Sequence, residues 1–185
     1  MINDRDILHA LFEAALQAAL PDGKFDGHLP EKPKGRTIVL GAGKALGPHG
    51  GSLRGGLVPR WRNLRWARVT RYGHAVPTRS VEIVEAAHPV PDEAGLQAAG
   101  RILALAREAG PNDLVVCLMS GGASALLPCG RGRDARRQAA LNRALLKSGA
   151  PIGEMNLVRK SLSAIKGGRL AGGRRPGAAR QPTDL

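Results

Sequence analysis

The chain has 185 residues, 43% of them hydrophobic but only 3% aromatic, and a formal net charge of +13. That length suits one domain with an aliphatic and alanine core, and no apolar run approaches the ~18 residues of a membrane span. Two cysteines, Cys117 and Cys129, supply neither a disulfide framework nor a metal-ligand pattern.

The chain opens with MINDRDILHALFEAALQAAL. Its acids and helical pattern differ from the basic start and cleavage site of a signal peptide, so a cytoplasmic protein is expected. Ile7, Leu8, Leu11, Phe12, Ala15, Leu16 and Leu20 recur at helical spacing, and Asn3 or Asp4 can cap the helix. A polar, turn-rich stretch follows over 22–35. Thr37 to Leu40 then reads as a short strand that runs into Gly41-Ala42-Gly43-Lys44. Glycines let the backbone approach a ligand, and a lysine in such a turn meets phosphate or carboxylate, unless it is simply solvated. The spacing is neither that of a P-loop nor that of a dinucleotide fingerprint.

Glycines and prolines over 46–69 forbid the helix expected next. Arg71-Tyr72-Gly73-His74 leads into a polar stretch, and residues 81–86 alternate as a strand does. His88-Pro89-Val90-Pro91-Asp92 is a rigid turn whose aspartate can cap the next helix. That helix carries Leu96, Ala99, Ile102, Leu103 and Ala106 on one face and stops at Gly110-Pro111.

Leu114 to Met119 is a continuous apolar run, read as a strand buried on both faces, with Cys117 as a reduced core thiol. Ser120-Gly121-Gly122 follows, then Ala123 and Ser124 at a helix start. This is a second strand–glycine turn–helix corner, in which backbone N–H groups and hydroxyls can receive an anion, or which is a plain tight turn. Residues 129–138 are arginine-rich and without pattern, and helical sequence resumes at Ala139 and again over 153–168. Arg159, Lys160 and Lys166 make that last segment basic, as a phosphate-receiving cluster or as a solvated face. Alternating strands and helices predict an α/β fold: three layers, a mostly parallel sheet with helices on both faces, Rossmann-like but incomplete. Ligands in such sheets sit at the carboxyl ends of the strands, where both glycine corners fall.

Five stretches together resemble one family: TIVLGAGKA, RYGHAVP, IVEAAHPVPDEAG, DLVVCLMSGGASALL and ALLKSGAPIGEMNLVRKSLSAIKGGRLA. They are similar, in order, to the amino-terminal domain of glycerate 2-kinases of the MOFRL type, often labelled hydroxypyruvate reductase. The resemblance implies ATP- and Mg²⁺-dependent phosphorylation of D-glycerate to 2-phosphoglycerate, in a cleft between two domains. It implies a catalytic role for Lys44 and phosphate binding by Gly41, Gly43, Ser120, Gly121, Gly122 and Ser124. Arg71, Arg159, Lys160 and Lys166 would offset charge on phosphate or on the substrate carboxylate, with His74 a further candidate near the cleft.

There are departures from the family pattern. Ala123 replaces the third glycine of the SGGGSAL loop, which requires a negative φ there. Ser161 stands where the family's RKHLS has histidine. After Leu170 the aspartate-bearing segment and second domain do not follow, so metal-ligating carboxylates are not expected here. Segments 46–69, 129–138 and 172–185 hold +10 of the net charge. They are also where the resemblance lapses, as out-of-frame reading of a GC-rich gene would produce. The expected organisation is a glycerate kinase amino-terminal domain over 1–171 with two aberrant segments, an unrelated tail over 172–185 and no carboxy-terminal domain. A fragment of this kind is expected to be inactive by itself. A small-molecule substrate is expected, with no nucleic-acid or membrane partner; the oligomeric state is left open. Two other functions remain to be weighed. An NAD(P)-dependent hydroxypyruvate reductase would need the third fingerprint glycine that GAGKALGP lacks. A basic nucleic-acid-binding module rests on charge alone, without aromatic interleaving beyond Trp61 and Trp66.

Overall fold

The computed structural model describes residues 3–19, 30–44, 64–75, 82–128, 130 and 135–172. Helix α1 (Asp4–Ala19) comes first, and the Asn3 side chain caps it by accepting from Asp6 N–H at 2.9 Å. Strands β1 (Thr37–Ala42), β2 (Leu64–Arg71) and β3 (Ile83–Ala86) follow. Then come α2 (Glu93–Glu108), β4 (Leu114–Met119), the single turn α3 (Ala123–Leu126), α4 (Ala135–Lys147), α5 (Ile152–Leu162) and the short α6 (Arg169–Gly172).

The four strands form one parallel sheet in the order β3-β2-β1-β4. The chain moves outward from β1 to β2 to β3, then crosses back to place β4 on the other side of β1. That reversal is a topological switch point, and in open α/β sheets ligands bind at such a point, at the carboxyl ends of the strands. The register holds the two strands level: Thr37 faces Leu114 and Ala42 faces Met119. The expected α/β architecture is therefore present.

Period-two alternation sends Ile38, Leu40 and Ala42 of β1 and Ala67 and Val69 of β2 to one face. There they pack with Ala99, Ile102, Leu103 and Ala106 of α2, closed off by Leu126, Leu127 and Ile165. Asp92 starts α2 where expected, accepting from Gly95 N–H at 3.0 Å. Thr37, Val39, Arg68 and Thr70, which alternate to the opposite face, are also buried.

Several expectations need correction. Residues 46–69 were expected as aberrant coil, but Leu64 to Val69 are sheet, and β2 is an interior strand. Arg68 within it is 2% exposed, and burial pushes its guanidinium below the usual value. Hydrogen bonding to both neighbouring strands overrides the strand's charged composition, because strand propensity is subordinate to context. In 129–138, the helix α4 already begins at Ala135. The remainder of the three arginine-rich segments, 46–63, 129, 131–134 and 173–185, lies outside the described residues apart from Gly130 and Gly172. Strand β4 is not buried on both faces: strand order puts it at the edge, and the side chain of Cys117 is exposed. The apolar stripe of α1 is exposed as well, Leu8 at 66% and Phe12 at 63%. No described helix is long and apolar enough to cross a membrane.

The amino ends of β1 and β4 are joined by Asp113. Its carboxylate accepts from Arg36 N–H at 2.7 Å, from the Arg36 guanidinium at 2.7 and 3.1 Å, and from Gly110 N–H at 3.0 Å. The Arg36 hydrogen bonds, with these amides, hold the carboxyl down at about 2. A carboxyl depressed in the folded state stabilises the fold above its unfolded value of 3.8, and that contribution is lost as the pH falls toward 2. Thermal unfolding scanned from pH 6 to pH 2 should show this loss, and Asp113→Asn should lower the midpoint by several degrees at pH 6 while flattening the acid dependence. In the core, Ile102→Ala should cost about 2–5 kcal/mol in urea titration, as cavity-forming substitutions do.

Candidate functional site

The two glycine corners lie side by side at the switch point. Lys44 N–H donates to Gly121 O at 2.9 Å, and Ser120 N–H to Ala42 O at 3.0 Å. Gly43 N–H donates to Val69 O at 3.2 Å, tying the first corner to β2. The amides of Gly43 and Lys44, read from sequence as ligand-facing, are therefore spent on holding the corners together. Gly43 must be glycine: its φ is +139°, and a Cβ there would collide with the Ser120 side chain and meet its backbone at 2.8 Å.

The second corner differs. Among the described residues, the amides of Gly121, Gly122 and Ser124 donate to no protein acceptor. Gly122 has φ +90°, and a Cβ built on it would lie 3.0 Å from Lys44 Cε and 3.0 Å from His88 Nε2. A bare backbone with uncommitted N–H groups, overhung by an ammonium and an imidazole, makes a cradle for an anion. Gly122 takes the left-handed conformation, so Ala123 begins α3 with helical φ and its Cβ is unstrained. The missing third glycine is thereby accommodated.

Arg71 ends β2 level with Ala86 of β3, at the same carboxyl edge. Burial pushes the His88 imidazole below its usual value, and the charges of Lys44 and Arg71 push it further the same way. The turn bearing His88 is fixed by Asp92, which caps α2 and accepts from the Tyr72 hydroxyl at 2.7 Å. Sequence reasoning treated His88 only as part of a rigid turn. The available signal was its position just past β3, on the edge shared by both corners.

The other basic candidates are held elsewhere. Lys166 Nζ donates to Leu127 O at 2.8 Å, at the carboxyl end of α3. Arg159 Nε donates to Asn142 Oδ1 at 3.0 Å, clamping α5 to α4. Lys160 is exposed, and its carbonyl accepts from Arg169, whose guanidinium also reaches the carbonyls of Ser163 and Lys166 at 3.1 Å. His74 directs its backbone N–H to Glu85 at 3.1 Å. Among the described residues no group of three His, Cys, Asp or Glu side chains is disposed to hold a metal ion. The edge displays cations, amides and a hydroxyl, which is a donor set for phosphate and not for Mg²⁺.

Residues 7–181 match the family described as "Domain of unknown function (DUF4147)". The chain is 47% identical over 173 residues to an Agrobacterium vitis protein named "Putative hydroxypyruvate reductase", covering 92% of this chain and 39% of that protein. It is 38% identical over 172 residues to the D-glycerate 2-kinase of Thermotoga maritima, covering 87% and 39%. The solved glycerate kinase of that organism superposes with a TM-score of 0.72 at 36% identity, over 86% of this chain and 39% of the other. The chain thus spans about two fifths of the length of these relatives. On the match across nearly all of its residues, the chain belongs to the DUF4147 family.

Proposed function

We propose that the paired corners bind the phosphates of ATP for transfer to the 2-hydroxyl of D-glycerate, giving 2-phosphoglycerate and ADP. The observation that carries this reading is the convergence of Lys44 on the bare backbone of Gly122, beside uncommitted amides at a sheet's switch point. Phosphoryl transfer needs positioning and charge neutralisation more than covalent help, and this constellation supplies both. Amides of the Ser120–Ser124 corner would hold phosphate oxygens. Lys44 would neutralise charge that builds on the transferring group. Arg71, at the end of the neighbouring strand, would take the glycerate carboxylate. Lys166 and Arg159, held by protein groups, would fix the segment behind the second corner, with Lys160 adding charge at its surface.

The donor set of the second corner, amides beside Lys44 and His88, suits a phosphate chain in its chemistry. Mg²⁺ shields phosphate charge in such reactions, but the described residues offer it no carboxylate set, so no step here is assigned to it. The names of glycerate 2-kinase relatives support the substrate. The reductase name carried by others is tested by the same protein preparation.

Calorimetry of the 185-residue chain should detect ATP binding that Lys44→Ala weakens at least tenfold, as loss of a charge-assisted contact does. A coupled assay with ATP and D-glycerate reads turnover. NADH oxidation with hydroxypyruvate in place of phosphoryl transfer would replace the kinase reading by the reductase one. Glycine substitutions separate strain from space. Gly43→Ala should cost about 1–3 kcal/mol of stability through its forced φ and its clash. Gly121→Ala, whose Cβ would meet nothing within 4 Å, should change stability by less than about 0.5 kcal/mol.

A further inference from the structure

We infer that His88 is, beside Lys44, a second cationic ligand of the bound polyphosphate, and that the site takes up a proton from solvent on this ring when the anion enters. The inference rests on the polyphosphate reading above and extends it to a residue that the sequence reading assigned only to a rigid turn. Its basis is a convergence from three elements. His88 follows β3, Lys44 follows β1, and both side chains meet the same point above Gly122, 3.0 Å from each. Arg71, at the end of β2, stands two residues short of His88 in the register of the adjacent strand. An anion resting on Gly122 therefore has the Nε2 edge of His88 as its neighbour.

The charges facing the ring decide its protonation. Burial first, then the positive fields of Lys44 and Arg71, push the imidazole's proton affinity below its ordinary value. The nearby carboxylates are committed: Glu85 to the N–H groups of His74 and Ala75, and Asp92 to Tyr72 and to Gly95 N–H. Neither is named among the causes acting on His88. A polyphosphate reverses the sign of the local field. It neutralises Lys44 and Arg71, and directly favours imidazolium, so the ring's affinity for a proton rises on binding. By linkage, binding gains strength on the acid side, and the gain fades as the pH rises past the bound-state value.

Calorimetric titration of the full chain with ATP, at pH 6 and pH 8 and in two buffers of different ionisation enthalpy, tests this. The γ-phosphate's own titration is common to wild type and variants, so the difference between them isolates His88. Wild type should take up a fraction of a proton at His88 and bind more tightly at pH 6. His88→Gln should keep a hydrogen-bond donor yet lose that uptake, binding about threefold to tenfold more weakly at pH 6 and like wild type at pH 8. Should His88→Gln fail to fold, the imidazole resonances of wild type answer instead: one of them should shift its titration upward when ATP is added. ATP binding that needs Lys44 but shows neither proton uptake nor a moved imidazole overturns the role of His88 and leaves the polyphosphate reading standing. Absence of ATP binding, or binding indifferent to Lys44→Ala, overturns both.

Discussion

The structure depends on the level pairing of β1 with β4. Six consecutive residue pairs, from Thr37–Leu114 to Ala42–Met119, bring the two strands to the carboxyl edge at the same height. Two short hydrogen bonds then cross between the corners, Lys44 to Gly121 and Ser120 to Ala42. A slip of one residue would invert every side chain in β4. It would also separate Lys44 from Gly122. Asp113 defends the register from the opposite end, since its carboxylate binds Arg36 before β1 and Gly110 before β4. The site is thus built from backbone geometry first, and side-chain charge is added to it.

Division of labour between the corners follows from that construction. Glycine at 43 serves a contact between protein segments, because Ser120 occupies the space a side chain would need. At Gly122 the absent side chain lets the side chains of Lys44 and His88 close in on the backbone, each 3.0 Å from where a Cβ would stand. Both have positive φ, yet one admits a neighbouring backbone segment and the other admits two side chains. The amides sort in a similar way: Gly43, Lys44 and Ser120 donate across the corners and to β2, while those of Gly121, Gly122 and Ser124 donate to no acceptor among the described residues.

Much of this was legible in the sequence. The apolar runs that end in GAGK and SGGAS announced strands with glycine corners, and Asp92 and Gly110-Pro111 bounded α2 correctly. What the sequence concealed was mostly relational. Residues 64–71 look unlike an interior strand because three arginines interrupt them; only pairing with β1 and β3 makes them one. The run from Leu114 to Met119 has the composition of a doubly buried strand, but strand order leaves it at the edge, which periodicity does not encode. His88 lay hidden just ahead of two prolines, since a turn motif explained its surroundings well enough. Lys166 and Arg159 looked like ligands because charge is visible in sequence, while a backbone carbonyl or an asparagine as partner is not.

The exposed apolar surface bears on how far the site depends on the rest of a protein of this family. Leu8, Leu11 and Phe12 of α1 and Met119 of β4 are each at least 45% exposed. The relatives are about two and a half times as long. None of those residues holds either corner. The contacts that do, from Ala42, Val69, Gly121 and Ser120, lie within one sheet and its two turns, against a core formed with α2. On the phosphate-binding reading proposed above, recognition is a local property of the switch point, whereas closing a substrate against it calls for surfaces that face the corners from outside. On that reading binding and turnover are separable on physical grounds: the first needs only the carboxyl ends of the sheet's strands and the groups that follow them, and the second needs whatever excludes water above them.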